Sequence, residues 1–185
     1  YTYKYYSNSS CTTELSGAPI NAGTYYVKAT STATSNLKSA SSGCAKLTIN
    51  KKSVAVTWGT TTTFTYTGNA QAPTASVTTG VSGETMTVNR TTGTNAGSYT
   101  STASCGGVSG GQASCNNYTL TGNTKAFTIT KGTPTLSLAD KTATYTGSGI
   151  TSNVASGTIP NGTLVTLTYN YKYYTNSSCT TGETT

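Results

Sequence analysis

The chain has 185 residues and a formal charge of +7, yet only 8% of its residues are charged and none is histidine. An average soluble domain carries about 25% charged residues, so hydroxyls and backbone amides, not ions, make this surface polar. Without histidine, Ser-His-Asp and Cys-His catalysis are excluded, and the longest basic run, Lys51-Lys52, is too short for a nucleic-acid footprint.

Taken in chain order, Tyr1 to Tyr6 alternates, with Tyr1, Tyr3 and Tyr5 on one face of a strand and Thr2, Lys4 and Tyr6 on the other. One face is expected to meet a core and the other water. A polar loop from Asn8 to Pro19 follows, then a strand over Gly23–Ala29, a Ser/Thr/Asn-rich connection, and a closing strand over Ala45–Asn50 with Leu47 and Ile49 on one side. Seven strands are predicted next: Ser53–Trp58, Thr62–Tyr66, Thr74–Thr78, Thr85–Asn89, Gly97–Ser104, Asn116–Leu120 and Lys125–Thr130. They are rich in Thr, Val, Tyr and Phe, which suit a pleated, half-buried surface. Gly68-Asn69, Gly80, Gly83, Asn95-Ala96-Gly97 and Gly122-Asn123 punctuate them. Val54, Val56 and Trp58 share a face of the first, and Phe127 and Ile129 a face of the last. Gly106–Gly111 is glycine-rich but lacks the lysine of a phosphate loop, so a flexible loop is expected there. Short strands at regular spacing with no helical period predict an all-β fold, a sandwich or a barrel.

The chain then returns to its own beginning. Tyr1–Thr13 recurs as Tyr169–Thr181, 168 residues on, with two of thirteen positions changed: Thr2 to Asn170 and Ser7 to Thr175. Shorter echoes join the interior. Thr144-Tyr145-Thr146-Gly147 repeats Thr65–Gly68, Asn95-Ala96-Gly97-Ser98-Tyr99 repeats Asn21–Tyr25, and Phe127–Lys131 repeats Leu47–Lys51. Fixed-period self-similarity is the mark of a tandem array. The expected organisation is two alternating β-domain types within a 168-residue repeat. Residues 1–50 are read as the C-terminal half of one domain, 51–131 as a complete domain, and 132–185 as the N-terminal half of the next. The split halves would be completed within a continuous chain, or by a neighbouring chain through strand exchange.

The motifs Asn95–Tyr99, Asn117-Tyr118-Thr119 and Lys125–Lys131, with Tyr66-Thr67-Gly68 and Tyr145-Thr146-Gly147, give the chain a likeness to a known family. It resembles the MBG-type bacterial Ig-like repeats of large cell-surface proteins. The resemblance implies tandem Ig-like β-sandwiches projecting from a cell, and no chemistry. The cysteines depart from that pattern, as does Asn36-Leu37, where an aromatic residue is expected.

The acids Glu14, Glu84, Asp140 and Glu183 fall in no shared motif, so neither an enzyme nor a cofactor or metal site is expected. The five cysteines, Cys11, Cys44, Cys105, Cys115 and Cys179, form no CxxC pair. A Thr-rich β chain with spaced cysteines fits an oxidising, extracellular or cell-surface setting. Bridges Cys11–Cys44 and Cys105–Cys115 are expected, with free thiols and bridges between subunits as the alternatives. Cys179 is the repeat counterpart of Cys11, so its partner is expected beyond Thr185. Asn8, Asn89, Asn117, Asn161 and Asn176 each begin an Asn-x-Ser/Thr sequon. Tyr5, Tyr6, Tyr25, Tyr26, Tyr173 and Tyr174 are candidates for a ligand platform or for a surface between domains. A Lys–Asn isopeptide bond would need Asp140 buried beside both groups.

Nothing approaches the ~20 apolar residues of a membrane-spanning helix, and no secretory leader opens the chain, so a mature or internal fragment with no membrane insertion is expected. The reading is a structural segment of a long extracellular fibre or surface stalk, stapled by disulfides and glycosylated. Its partners would be identical repeats in the same chain or in neighbouring subunits of a filament. The alternative is an adhesin that recognises glycans or anionic surfaces through exposed Tyr and Lys.

Overall fold

The computed structural model describes residues 1–111, 114–159 and 164–182. It is nearly all β. Strand β1 is Thr2–Tyr6, β2 Gly23–Ser31, β3 Ala40–Ser41, β4 Ala45–Ile49, β5 Lys52–Trp58, β6 Thr63–Thr65 and β7 Ala75–Val77. Then come β8 Thr85–Arg90, β9 Gly97–Ser109, β10 Tyr118–Thr121, β11 Thr124–Thr130, β12 Thr135–Ser137, β13 Ser156–Thr158 and β14 Leu164–Val165, with a short 3-10 turn over Cys115–Asn117 before β10. All seven strands expected within 51–131 are present, most within a residue or two of their expected ends.

The described residues form two compact units. The first holds 1–62, 72–92 and 99–127, and the second 63–71, 93–98 and 128–185. In the first unit, β2 is the centre of an antiparallel sheet. On one side β1 pairs with it from Thr2↔Thr30 to Tyr6↔Tyr26. On the other, β4 pairs from Gly23↔Ile49 to Val27↔Ala45, and β3 extends that edge through Thr30↔Ser41. A second sheet has the order β10-β5-β7, with β10 parallel and β7 antiparallel to β5. A third carries β8 antiparallel to β9 and the first half of β11 beside β9. The buried side chains come from both of the last two sheets: Val54 and Val56 on β5, Tyr118 on β10, Ser101 and Ala103 on β9, and Phe127 on β11. Phe127 stacks on Tyr99 with ring centroids 5.3 Å apart, a separation that favours offset aromatic contact. Ser101 is fully buried, and its hydroxyl donates to Thr91 O at 2.7 Å, which removes the cost of an unpaired polar group.

In the second unit, β6 runs parallel to the last three residues of β11, from Thr128↔Thr63 to Thr130↔Thr65. Tyr66 N continues the pairing by donating to Thr130 O. Ile129 is 1% exposed and is the largest fully buried side chain. Residues 132–182 contribute the small sheet β12-β13-β14.

Three features differ from the sequence reading. The Ser/Thr/Asn-rich connection before Cys44 contains β3, because Thr30 and Ser31 at the end of β2 have free backbone groups for Ala40 and Ser41 to meet. The glycine-rich segment is largely strand, since Gly107, Val108 and Ser109 pair with Thr87, Met86 and Thr85 after a register shift between Thr87 and Val88. The turn comes at Gly110, whose φ is +90° and whose missing Cβ would lie 1.9 Å from Gly83 O, so only glycine fits. Alternation in β1 does not give a clean inside and outside either: Tyr1 and Tyr3 are exposed, and of the other face only Tyr6 is buried.

Trp58, the chain's one tryptophan, lies in the first unit and donates its indole N–H to Gly122 O at 2.8 Å, so its fluorescence reports that unit. Phe127→Ala should lower the denaturation free energy read by Trp58 by about 3–5 kcal/mol. Tyr1→Ala, at a residue 95% exposed, should change it by less than ~0.5 kcal/mol.

Candidate functional site

The two copies of the thirteen-residue segment fold alike where their structure is local. In the first, the Asn8 side chain accepts from Thr12 N at 3.1 Å and Thr13 N at 3.0 Å, and donates to Ser10 Oγ and Thr12 Oγ1 at 2.8 and 2.6 Å. In the second, Asn176 accepts from Thr180 N and Thr181 N at 3.0 and 3.1 Å, and donates to Ser178 Oγ and Thr180 Oγ1 at 2.6 and 2.8 Å. Backbone bonds match too: Cys11 N to Asn8 O and Ser7 N to Thr13 O recur as Cys179 N to Asn176 O and Thr175 N to Thr181 O. Cys11 has φ 51° and Cys179 φ 54°, a left-handed conformation that costs an ordinary residue roughly 1–2 kcal/mol. Cys11 is bridged and Cys179 is a free, exposed thiol. The shared conformation therefore belongs to the asparagine-centred loop and not to the disulfide.

The strands ahead of these loops differ. Thr2–Tyr6 is a strand paired with β2, whereas residues 169–174 are not in a strand. There, Tyr173 Oη accepts from Ser152 N at 3.3 Å and Tyr171 Oη from Ala155 N at 3.2 Å.

The expected bridges are present. Cys11–Cys44 has its Cα atoms 6.0 Å apart and Cys105–Cys115 has them 5.8 Å apart. In the chain-entropy account they are worth about 3–4 and about 3 kcal/mol for loops of these lengths. Persistent bridges fit an oxidising environment.

Sheet register sorts the tyrosines. Tyr6 lies opposite Tyr26 and Tyr5 opposite Val27, while Tyr25 lies opposite Leu47 and Tyr26 opposite Lys46. Tyr6 and Tyr26 thus share a face with Lys4, Lys28 and Lys46, and Lys28 Nζ stands 6.0 Å from the Tyr6 ring centroid. Lys4 sits directly across from Lys28, an unfavourable pairing. Glu14 offsets it by an ion pair to Lys4 at 3.0 Å, which raises the Lys4 pKa through that hydrogen bond and the opposite charge. Tyr5 and Tyr25 take the opposite, more apolar face. The six tyrosines are therefore not one platform: Tyr6 is buried, Tyr5, Tyr25, Tyr26 and Tyr174 are half-buried, and Tyr173 is exposed.

The sequons separate in the same way. Asn8 and Asn176 hold their loops. Asn117 accepts from Ala22 N at 2.8 Å and donates to Asn21 Oδ1 at 2.9 Å, fastening the turn before β2 to the 3-10 turn before β10. Asn89 is exposed in mid-β8. Asn161 lies outside the described residues. Asp140 is exposed, so the condition for an assisted isopeptide bond is not met.

A hollow of about 190 Å³ lies beside Asn117, lined by Ile20, Ile49, Lys52, Val81, Glu84 and Tyr118 among others. Lys52 Nζ donates to Gly80 O at 2.9 Å. Tyr118 donates its hydroxyl to the Glu84 carboxylate, and that bond, reinforced by burial and by the negative charge, raises the tyrosine's pKa above its ordinary 10.0. The polar groups that line the hollow are spent on one another, so it reads as a seam within the unit. Sequence reasoning took Asn117 for a sequon and a family motif; nothing in its spacing pointed to Asn21. Among the described residues no group of three acidic, Cys or His side chains is placed to hold a metal, and no helix is long and apolar enough to cross a membrane. No family model, no curated protein and no solved structure matches the chain.

Asn117→Ala should free the Ala22 amide, so that hydrogen exchange across residues 21–23 quickens at least about fivefold, as expected for losing a bond worth ~1 kcal/mol. Unchanged exchange there would refute the seam. The tyrosine predicts a pH dependence. The unfolded chain releases the Tyr118 proton near 10.0 while the folded chain keeps it, so this contribution is intact below pH 10 and is lost as pH rises from there through the folded pKa. Tyr118→Phe should leave a shallower fall in Trp58-reported stability above pH 10 than the parent shows.

Proposed function

We propose that the chain is a structural segment of a long extracellular fibre or surface stalk, made of Ig-like β-sandwiches of two alternating kinds in a 168-residue repeat. Residues 51–131 are one whole domain, 1–50 the C-terminal half of the other kind, and 132–185 the N-terminal half of its next occurrence. The reading assigns no catalytic step. The observation that carries it is the return of Tyr1–Thr13 as Tyr169–Thr181 with the same loop hydrogen bonds.

Sheet order supports it. Strand β2 begins at Gly23 of Asn21-Ala22-Gly23, and β9 begins at Gly97 of Asn95-Ala96-Gly97. The strand carrying Leu47-Thr48-Ile49 lies beside β2, and the one carrying Phe127-Thr128-Ile129 beside β9, so β1-β2-β4 repeats the order β8-β9-β11. The echo of Thr-Tyr-Thr-Gly holds in the backbone too, with φ +79° at Gly68 and +75° at Gly147. Load along such a chain would be borne by sheet hydrogen bonds and by the two bridges. Among the sequons, the reading places sugar on exposed Asn89 and leaves Asn8, Asn117 and Asn176 unmodified.

A second reading, an adhesin module for glycans or anionic surfaces, draws on the face of Lys4, Lys28 and Lys46 around Tyr26. Electron micrographs of the native material, with immunogold against the Tyr1–Thr13 sequence, separate the two. Evenly spaced label along an extended object supports the fibre. Single label on compact particles removes it and leaves the binding module.

A further inference from the structure

The sheet β1-β2-β4 has an apolar face that its counterpart in 51–131 does not leave open. Aligned on the repeated motifs, Val27, Ala29, Leu47 and Ile49 stand where Ser101, Ala103, Phe127 and Ile129 stand. The latter four are 0%, 2%, 4% and 1% exposed, whereas the former are all only half-buried. The stretch 51–131 has strands β5, β6 and β7 ahead of its β8-β9-β11 arrangement; 1–50 has nothing ahead of β1. In this chain the segment of that earlier kind is 132–182. It carries Leu136, Leu138, Tyr145, Ile150 and Val154 exposed. Of the twelve exposed large hydrophobic residues, eleven fall in 1–50 or 132–182 and only Val81 in between, so the unsatisfied apolar surface is concentrated on the two half-domains.

We propose that residues 132–182 of one copy dock on the β1–β4 region of a second copy of this chain, with Tyr169–Thr181 displacing the nearly identical Tyr1–Thr13. The register follows from β1: Asn170 opposite Thr30, Lys172 opposite Lys28 and Tyr174 opposite Tyr26. The incoming loop is already in shape, since its asparagine-centred bonds match those of the loop it replaces. Cys179 then falls where Cys11 was. Cys44 is exposed and Cys11 is 7% exposed, so the accessible sulfur of the bridge is that of Cys44. The Cys179 thiolate attacks Cys44 Sγ, a Cys179–Cys44 bond forms, the Cys11–Cys44 bond breaks, and its electron pair leaves on Cys11 Sγ, which takes up the proton that Cys179 lost. One disulfide and one thiol are present before and after, so no oxidant is consumed. The contact is head-to-tail and therefore open-ended. The resident strand has the advantage of being tethered, so the exchange is favoured by high protein concentration and by trace thiol.

This inference rests on the reading of 1–50 and 132–185 as complementary halves, and its test is independent of the micrographs. The full chain is incubated at high concentration with sub-stoichiometric glutathione, quenched by alkylation, run without reductant and mapped by mass spectrometry. The expected result is a ladder of multimers, a Cys179–Cys44 linked peptide, and alkylated Cys11. Cys179→Ser should abolish the ladder. Lys172→Pro keeps the thiol but removes a backbone donor and fixes φ in the docking strand; it should slow ladder formation at least tenfold. Cys179–Cys179 dimers as the main product, no linked product, or an unchanged rate in Lys172→Pro would each overturn the proposal. A chain that fails here yet shows evenly spaced label along a fibre would refute exchange between copies and leave the fibre standing.

Discussion

An extended segment has to hand its backbone N–H and C=O groups to a neighbour, and in this molecule that requirement outweighs side-chain composition. Tyr1–Tyr6 and Tyr169–Tyr174 differ at one position in six. The first is a strand because β2 lies alongside it; the second, without a matching partner among the described residues, is not. Propensity is the same in both, so the difference is the presence of Gly23–Ser31. The same constraint places β3, which forms only where β2 overruns β4, and it draws the glycines of β9 into a strand against Thr85–Thr87.

Where a segment satisfies its own backbone, context stops mattering. The Asn8 and Asn176 loops each spend a side-chain oxygen on two amides and a side-chain NH2 group on two hydroxyls. Four such bonds at ~1 kcal/mol each offset a left-handed cysteine in both copies. That is why the loops agree although one is cross-linked and the other free. A repeat built this way carries rigid local punctuation between strands whose formation waits on a partner.

Legibility in the sequence followed the same division. The strands of 51–131 were readable because Val54, Val56, Trp58, Phe127 and Ile129 alternate between Gly- and Asn-marked turns, and the structure buries those positions or half-buries them. Cys11–Cys44 and Cys105–Cys115 were readable from the repeat and from loop length. The function of the asparagines was not. A sequon and a loop-holding asparagine have the same local sequence, and only the hydrogen bonds of Asn8, Asn117 and Asn176 tell them apart from Asn89. The tyrosine face was misjudged for a related reason. Alternation says which side chains share a face, but a face is buried only if another layer lies over it, and in 1–50 the layer that would do so is not contiguous in sequence.

That last point links composition to assembly. With so few charges, this chain has little with which to keep an open apolar sheet face apart from another, and a row of half-buried Val27, Leu47 and Ile49 is costly to leave wet at ~25 cal/mol per Å². A compact monomer of this composition would be expected to close that face with its own residues, as 51–131 does around Phe127 and Ala103. A repeat can leave it open, because the matching half always recurs at a fixed interval. The low charge, the open face on β2 and the duplicated tyrosine segment then have one cause: the unit of folding is offset from the unit of repetition, and each half-domain is shaped for a partner that resembles part of itself.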